Sequence, residues 1–237
     1  MPPSASEPDD GPPSASPAAP DAEQAANAPG LFGKLPSHGD FVARNLPPAL
    51  RVGWEAWLDA GLDRSRQMLG DKWLEIYLSS PVWHFAVASG CCGGQPFGGV
   101  MIPSVDRIGR YFPLSILAAV SPRYTAAEIA LGGQTWFGRI EAAALSCLAD
   151  DFDFASFEQD LEREVFPTLG QDIVTSLEVV HADEAGLGDM SLLLGRLLER
   201  SGVRYSLWWT SGSPSIAACC RAFHGLPPPE DFARLLG

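Results

Sequence analysis

The chain has 237 residues, of which 46% are hydrophobic and 10% aromatic, so it is long enough to bury a substantial core. Its formal net charge is -13, and this average field disfavours nucleic acid or an anionic membrane surface as a partner. The sequence lacks both an apolar run of about 18 residues, which a spanning helix needs, and a signal peptide, so we expect a cytoplasmic protein without direct membrane insertion.

The N-terminal segment differs from the rest in composition. Residues 1–29 are rich in Pro, Ala and Ser, carry five acidic and no basic side chains, and contain no aromatic or branched aliphatic residue. Such a segment cannot bury enough apolar surface to become ordered. We therefore predict a disordered acidic tail over residues 1–29 and a single domain over residues 30–237, with a motif-rich part at 30–120 and a helical and C-terminal part at 121–237.

The motif-rich part begins with two short strands within residues 30–44, on either side of a turn at 36–39. A helix is predicted next, since Pro47-Pro48 suits a first helical turn and apolar residues recur at helical spacing as far as Gly70. Asp71 is then a candidate N-cap for a short second helix. The apolar stripe of that helix would consist of Trp73, Leu74, Tyr77 and Leu78.

Three consecutive strands are predicted after these helices, over residues 81–88, 99–103 and 111–120. The first is a continuous apolar run, which is typical of a strand covered on both faces. Short connections favour antiparallel pairing of the three. We therefore predict an α/β protein: a three-layer α/β/α sandwich with a mixed, largely antiparallel central sheet.

The remaining elements are predicted from hydrophobic periodicity and from helix-breaking residues. One long helix is predicted over residues 125–148, and a leucine-rich helix over 191–200 stops at Gly202. Strands are expected over 203–210 and 215–221, and a short terminal helix around 232–236. Between the first two of these helices lies an acidic segment whose Glu158, Asp160, Glu162 and Glu164 would form either a solvated surface or a docking surface for a basic partner.

The cysteines and histidines do not indicate a metal site. Neither of the two adjacent cysteine pairs has the spacing of a zinc loop, and the four histidines are scattered. We expect buried, reduced thiols and no metal or cofactor, and no phosphate-binding glycine loop is present. The cysteines are Cys91, Cys92, Cys147, Cys219 and Cys220.

Two polar turns carry the candidate functional residues. Charges set between apolar strands are either paired with one another or presented to a ligand. The first turn, residues 34–44, supplies Lys34, His38, Asp40 and Arg44. The second turn, residues 104–111, supplies Ser104, Asp106, Arg107, Arg110 and Tyr111.

Three interpretations of these turns remain open. The charges could form a network that pins both turns to the sheet, and Arg107 and Arg110 could also present a planar donor fork to a partner's carboxylate or phosphate. A hydrolase or phosphotransferase could use His38 and Ser104 with Asp40 or Asp106, although their spacing gives no support. A sensor that binds an anion or a small molecule through the arginines is the third possibility.

Several short motifs in order and at matching spacing closely resemble the TagF/ImpM family of type VI secretion accessory proteins. Those motifs include Gly33-Lys34-Leu35-Pro36, Gly39-Asp40-Phe41-Val42, Trp54 with Trp57-Leu58, Pro103-Ser104-Val105-Asp106-Arg107, Gly109-Arg110-Tyr111-Phe112-Pro113 and Ser206-Leu207-Trp208-Trp209-Thr210. The resemblance implies a helix-sheet-helix sandwich without catalysis or cofactor. It also implies a cytoplasmic protein that restrains the secretion machine after translation by binding a forkhead-associated scaffold protein of the threonine-phosphorylation pathway. The chain looks like the stand-alone form without a phosphatase domain.

Overall fold

A computed structural model describes residues 28–169 and 187–237 of the chain, so almost all of the predicted tail at 1–29 lies outside the described residues. The strands are β1 (Gly30–Gly33), β2 (Val42–Arg44), β3 (Trp83–Val87), β4 (Phe97–Ile102), β5 (Leu114–Ala119), β6 (Tyr205–Thr210) and β7 (Cys219–His224). The helices are α1 (Pro48–Leu69), α2 (Trp73–Leu78), α3 (Ala126–Gly132), α4 (Gln134–Ser146), α5 (Phe154–Arg163), α6 (Leu187–Arg200) and α7 (Pro229–Leu236).

The strands form one seven-stranded sheet in the order β2-β1-β5-β4-β3-β6-β7. All six pairings among the described strands are antiparallel, so the predicted sandwich is confirmed and its sheet is antiparallel throughout instead of mixed. Every residue of β3, β4 and β5 is buried, because helices cover both faces of these central strands. β6 and β7 extend the same sheet from the C-terminal part of the chain.

One face of the sheet is covered by α1, α2 and α7. The indoles of Trp54 and Trp57 on α1 pack against Trp208 of β6, with ring centroids 6.1 and 5.3 Å away. Gly61 allows α7 to approach α1 closely, since a Cβ at that position would lie 2.3 Å from the ring of Phe232. The aromatic side chains of this face therefore pack α7 against α1.

The opposite face is covered mainly by α3, α4 and α5. Thr125 begins α3 with a capping box, accepting the Glu128 N–H while the Glu128 carboxylate accepts the Thr125 N–H. The single long helix predicted over 125–148 is wrong: α3 ends at Gly132 and α4 starts at Gln134. Glycine is a poor helix former, and here it leaves room for the segment after α5, since a Cβ on Gly132 would lie 2.5 Å from Leu169.

Two other predicted boundaries are wrong. Asp71 is not an N-cap, because it lies in a 3-10 turn (Gly70–Lys72), and α2 begins after that turn without a side-chain cap. Two members of the predicted stripe of α2, Leu74 and Leu78, are exposed. The last strand is β7 and not residues 215–221, because the Ser213 hydroxyl accepts the N–H of Ser215 and holds that segment in a turn.

The cysteines are all free and differ in burial. Cys92 and Cys147 are buried as predicted, and Cys91 and Cys219 are half-buried. Cys220 is exposed on the edge strand β7, so the prediction of a buried thiol is wrong there.

Candidate functional site

The two polar turns meet at one end of the sheet. Because β1 pairs antiparallel with β5, the turn that follows β1 lies beside the turn that precedes β5. The carbonyl of His38 accepts the Arg107 N–H at 2.8 Å, and the carbonyl of Lys34 accepts the Ser104 hydroxyl at 2.7 Å. These bonds join segments that are about 70 residues apart in the sequence.

A buried carboxylate holds both turns. The side chain of Asp106 is 0% exposed, and its Oδ2 lies 2.9 Å from Lys34 Nζ and 2.6 Å from Arg110 Nε. Its Oδ1 accepts the backbone N–H groups of Ile108 at 3.1 Å and Arg110 at 2.9 Å. We call Lys34, Asp106 and Arg110 the Asp106 clamp. Because four donors satisfy the two oxygens, this carboxylate has the partners that a buried charge needs.

These contacts make the stability of the fold depend on pH through Asp106. Burial by itself would raise the pKa of Asp106, but hydrogen bonds from the Arg110 backbone, the Lys34 and Arg110 side chains and the Ile108 backbone hold that pKa well below its ordinary value of 3.8. A carboxylate whose pKa is lowered by folding stabilises the folded state above its unfolded pKa and loses that effect as the pH falls.

We therefore expect the free energy of unfolding to decline below about pH 4 and to decline less steeply in Asp106→Asn, whose side chain cannot titrate. Urea denaturation of both proteins at several values between about pH 7 and pH 3 measures the two slopes. Equal slopes for the two proteins would contradict this role of Asp106.

Asp40 and Arg107 lie outside the clamp. Asp40 is exposed, and its Oδ1 accepts the N–H of Phe41 at 2.8 Å. Arg107 forms no ion pair with any described residue, and its Nη2 lies 3.2 Å from the point that a Cβ on Gly39 would occupy. The turns therefore hold one tight ionic cluster and separate charges, instead of one network.

Arg44 connects the first turn to α5, which we call the acidic helix because it carries Glu158, Asp160 and Glu162 and is followed by Glu164. Its Nε lies 2.9 Å from Glu158 Oε1, and its guanidinium lies 5.5 Å from the centre of the Phe154 ring. The two charged side chains are 49% and 37% exposed, so the pair contributes less than about 1 kcal/mol. The two predicted candidate faces are thus neighbours, joined at Arg44.

The acidic helix is less negative than its sequence suggests. Three of its four predicted acidic residues are ion paired, and only Glu162 has no ion pair with a described residue. The pairs are Glu158–Arg44 at 2.9 Å, Asp160–Arg163 at 2.8 Å and Glu164–Arg139 at 2.6 Å. Arg44 and Arg139 from other elements, together with Arg163 of α5 itself, neutralise much of the charge that a docking surface for a basic partner would use.

The structure does not assemble the residues of the hydrolase interpretation. The Ser104 hydroxyl is buried and donates to the carbonyl of Lys34, and His38 Nδ1 lies 2.9 Å from the hydroxyl of Ser37. No hydrogen bond joins His38 to Ser104 within the described part of the chain. Asp106, the carboxylate of the second turn, has both oxygens engaged by Lys34, Arg110 and the turn backbone.

Two aromatic residues of α2 support the second turn, a role that the sequence reasoning missed. Tyr77 Oη donates to the Ser104 carbonyl at 2.8 Å and accepts the Ser104 N–H at 2.9 Å. Burial raises the pKa of Tyr77, so this phenol stays neutral. The ring of Tyr111 lies 5.9 Å from that of Tyr77 and 6.4 Å from that of Trp73. The sequence pattern identified Trp73 and Tyr77 only as core residues.

Apolar side chains are exposed next to the clamp. Ile108, at the tip of the second turn, is 67% exposed, and Phe41 is 43% exposed. The Phe41 ring is nevertheless held in place, since it stacks on Phe32 at 5.8 Å and lies 5.0 Å from Lys34 Nζ. We call Phe41, Arg107, Ile108 and Arg110 the turn face.

A cavity of about 870 Å³ lies away from the turns, between α3, α4, α6 and the outer strands β6 and β7. His84 is part of its wall, and His84 Nε2 lies 2.8 Å from Glu141 Oε2. Burial lowers the pKa of His84, although the carboxylate of Glu141 opposes this effect. No sequence motif indicates this cavity, because its lining comes from segments that are far apart in the chain.

Comparison with known proteins places these observations in a family. The profile of the TagF N-terminal domain, which is type VI secretion system-associated, matches residues 30–163. The crystal structure of PA0076 from Pseudomonas aeruginosa PAO1 is similar to this chain, with a TM-score of 0.75 and 35% identity over 88% of this chain and 93% of that one. No curated protein matches the chain. None of the described helices has the length and apolar character needed to cross a bilayer.

Proposed function

Because the chain belongs to the TagF family of type VI secretion-associated proteins, we propose that it negatively regulates type VI secretion after translation by binding a forkhead-associated scaffold protein. In this proposal the protein acts in the cytoplasm, needs no cofactor and transforms no substrate. The scaffold belongs to the threonine-phosphorylation pathway that the family resemblance implies.

The observation that carries the proposal is the rigid, exposed turn face. The Asp106 clamp and the bonds between the two turns fix its backbone, so little conformational entropy is lost when a partner binds. An exposed aliphatic side chain, Ile108, projects beside Arg107, and arginine is enriched at the energetic centres of protein interfaces. Apolar and cationic groups held together in this way suit a protein partner better than a small substrate.

The alternative functions receive less support. A hydrolase or phosphotransferase would need its base next to its nucleophile, whereas Ser104 and His38 bind other groups. An anion or small-molecule sensor would place its ligand in a concave site. The turn face instead exposes side chains such as Ile108, which is 67% exposed, and the cavity of about 870 Å³ lies elsewhere.

Binding of the purified scaffold tests the proposal. We expect the chain to bind the scaffold encoded in the same secretion cluster, and Ile108→Asp to weaken that binding by at least about tenfold, because it removes an interface anchor. Isothermal titration calorimetry measures both affinities. Val52→Asp is the matched control, since Val52 is 60% exposed on α1, in a different element.

Three results would contradict parts of the proposal. A wild-type chain that does not bind the scaffold would refute the proposed partner. Normal binding by Ile108→Asp together with lost binding by a Glu158→Lys, Glu162→Lys double variant would move the interface to α5. A purified chain that turns over a phosphorylated or ester substrate, and loses this activity in His38→Ala, would refute the absence of catalysis.

A further inference from the structure

Two arginines of the turn face lie over the backbone of the same glycine. Arg110 Nη2 donates to the carbonyl of Gly39 at 2.6 Å, and Arg107 Nη2 lies 3.2 Å from the point that a Cβ on Gly39 would occupy. Because Gly39 has no side chain, nothing stands between its backbone and the guanidinium of Arg107. Both guanidinium groups therefore lie close to Gly39, at the junction of the two turns.

The two guanidinium groups differ in how many of their donors are used. Arg110 donates through Nε to Asp106 and through Nη2 to Gly39, and its side chain remains 52% exposed. The Arg107 side chain has no hydrogen-bond or ion-pair partner among the described residues, and the residue is exposed. Donors are therefore available on both groups, most of all on Arg107.

Nearby acidic groups neutralise this pair only in part. Asp106 forms an ion pair with Arg110, but the same carboxylate is shared with Lys34 and forms no ion pair with Arg107. The Asp40 carboxylate accepts a hydrogen bond from the N–H of Phe41 and forms no ion pair with a described residue. An excess of positive charge thus remains at one point of a protein whose net charge is -13.

We infer that Arg107 and Arg110 form an oxyanion fork that binds a carboxylate or phosphate group carried by an acidic segment of the protein partner. This inference rests on the proposed function and identifies the chemistry of the partner's contact with the turn face. Guanidinium groups bind carboxylates and phosphates through parallel N–H donors, a geometry that lysine cannot reproduce. Ile108, between the two arginines in sequence, supplies the adjoining apolar contact.

Substitutions at Arg107 test the fork by scaffold titration. We expect Arg107→Glu to weaken binding by about thirtyfold and Arg107→Lys by about fivefold, because lysine keeps the charge and loses the paired donors. The affinity of the wild type should also fall more steeply with salt than that of Arg107→Glu. Arg64→Glu is the control, since Arg64 is an exposed residue of α1.

Folding does not confound the comparison, because Arg107 contributes only its backbone N–H to the joined turns. Thermal denaturation of each variant checks this. If Arg107→Glu and Arg107→Lys bind like the wild type while Ile108→Asp binds weakly, the fork is refuted and the proposed function stands. If the wild type does not bind the scaffold, both the fork and the proposed function are refuted.

The source of the oxyanion is resolved by treating the scaffold with a phosphatase before titration. If the group is a phosphate, this treatment weakens wild-type binding and removes the difference between the wild type and Arg107→Glu. If it is a carboxylate, wild-type binding is unchanged and the difference persists. Either result supports the fork, whereas an affinity that responds neither to phosphatase nor to Arg107→Glu refutes it.

Discussion

Lys34→Met is expected to lower the free energy of unfolding by about 3 kcal/mol, because it removes one partner of a buried ion pair. The Lys34 side chain is only 6% exposed, and its Nζ lies 2.9 Å from Asp106 Oδ2. Methionine keeps the apolar stem and loses the ammonium group. Asp106 retains Arg110 and two backbone donors, which places the loss at the lower end of the range of about 3–5 kcal/mol for broken buried pairs. Urea denaturation near pH 7 measures the change.

The control is Lys72→Met, because Lys72 is the other of the chain's two lysines and is exposed. Its free energy of unfolding should stay within about 0.5 kcal/mol of the wild type. In a double-mutant cycle, Lys34→Met should cost less in an Asp106→Asn background, since the carboxylate that needs the ammonium is then absent. An unchanged urea midpoint for Lys34→Met would show that the clamp does not stabilise the fold.

The sequence predicts most of the helix and sheet layers of the sandwich, but it does not determine how the charged side chains are arranged. Continuous apolar runs and short connections are local signals, so β3, β4 and β5 could be recognised in their order and direction. The meeting of the two turns follows instead from the pairing of β1 with β5, a long-range contact that no local pattern predicts. The prediction of the layers therefore depends on patterns within single segments, whereas the position of the turns depends on contacts between segments.

The roles of individual charges depend on geometry that no local pattern contains. Asp106 and Arg107 are neighbours in one turn, yet the first is buried in the clamp and the second is exposed. Gly109 has a φ of 87°, in the left-handed region, and the chain reverses around it so that the N–H groups of Ile108 and Arg110 reach Asp106. The sequence identifies this glycine, but it does not say which carboxylate the turn encloses.

Long-range partners explain the other differences. The predicted acidic surface of α5 is largely neutralised because Arg44 and Arg139 come from other elements to pair with Glu158 and Glu164. Helical periodicity predicted one continuous helix through Gly132. The helix instead ends at Gly132, where the absence of a side chain leaves room for Leu169. In each case the deciding contact joins segments that are more than twenty residues apart, which periodicity within one segment cannot detect.

Trp54→Ala is expected to lower the free energy of unfolding by about 4 kcal/mol, because it opens a large cavity in a fully buried part of the core. The Trp54 indole lies 4.7 Å from the Phe85 ring and stacks on Trp208 at 6.1 Å. Its Nε1 also donates to the hydroxyl of Ser115 at 3.0 Å, and Ser115 is 0% exposed. Alanine would leave that buried hydroxyl without this partner, which adds to the loss of packing.

Urea denaturation separates the two contributions if Trp54→Phe is measured beside Trp54→Ala. Phenylalanine keeps most of the ring contacts and loses the hydrogen bond to Ser115, so we expect a loss of about 1–2 kcal/mol. Val52→Ala, at an exposed position of α1, should be nearly neutral. Equal losses for Trp54→Ala and Trp54→Phe would assign the effect to the hydrogen bond alone. Because Ser115 follows the second turn on β5, Trp54 also ties α1 to the strand that positions the Asp106 clamp.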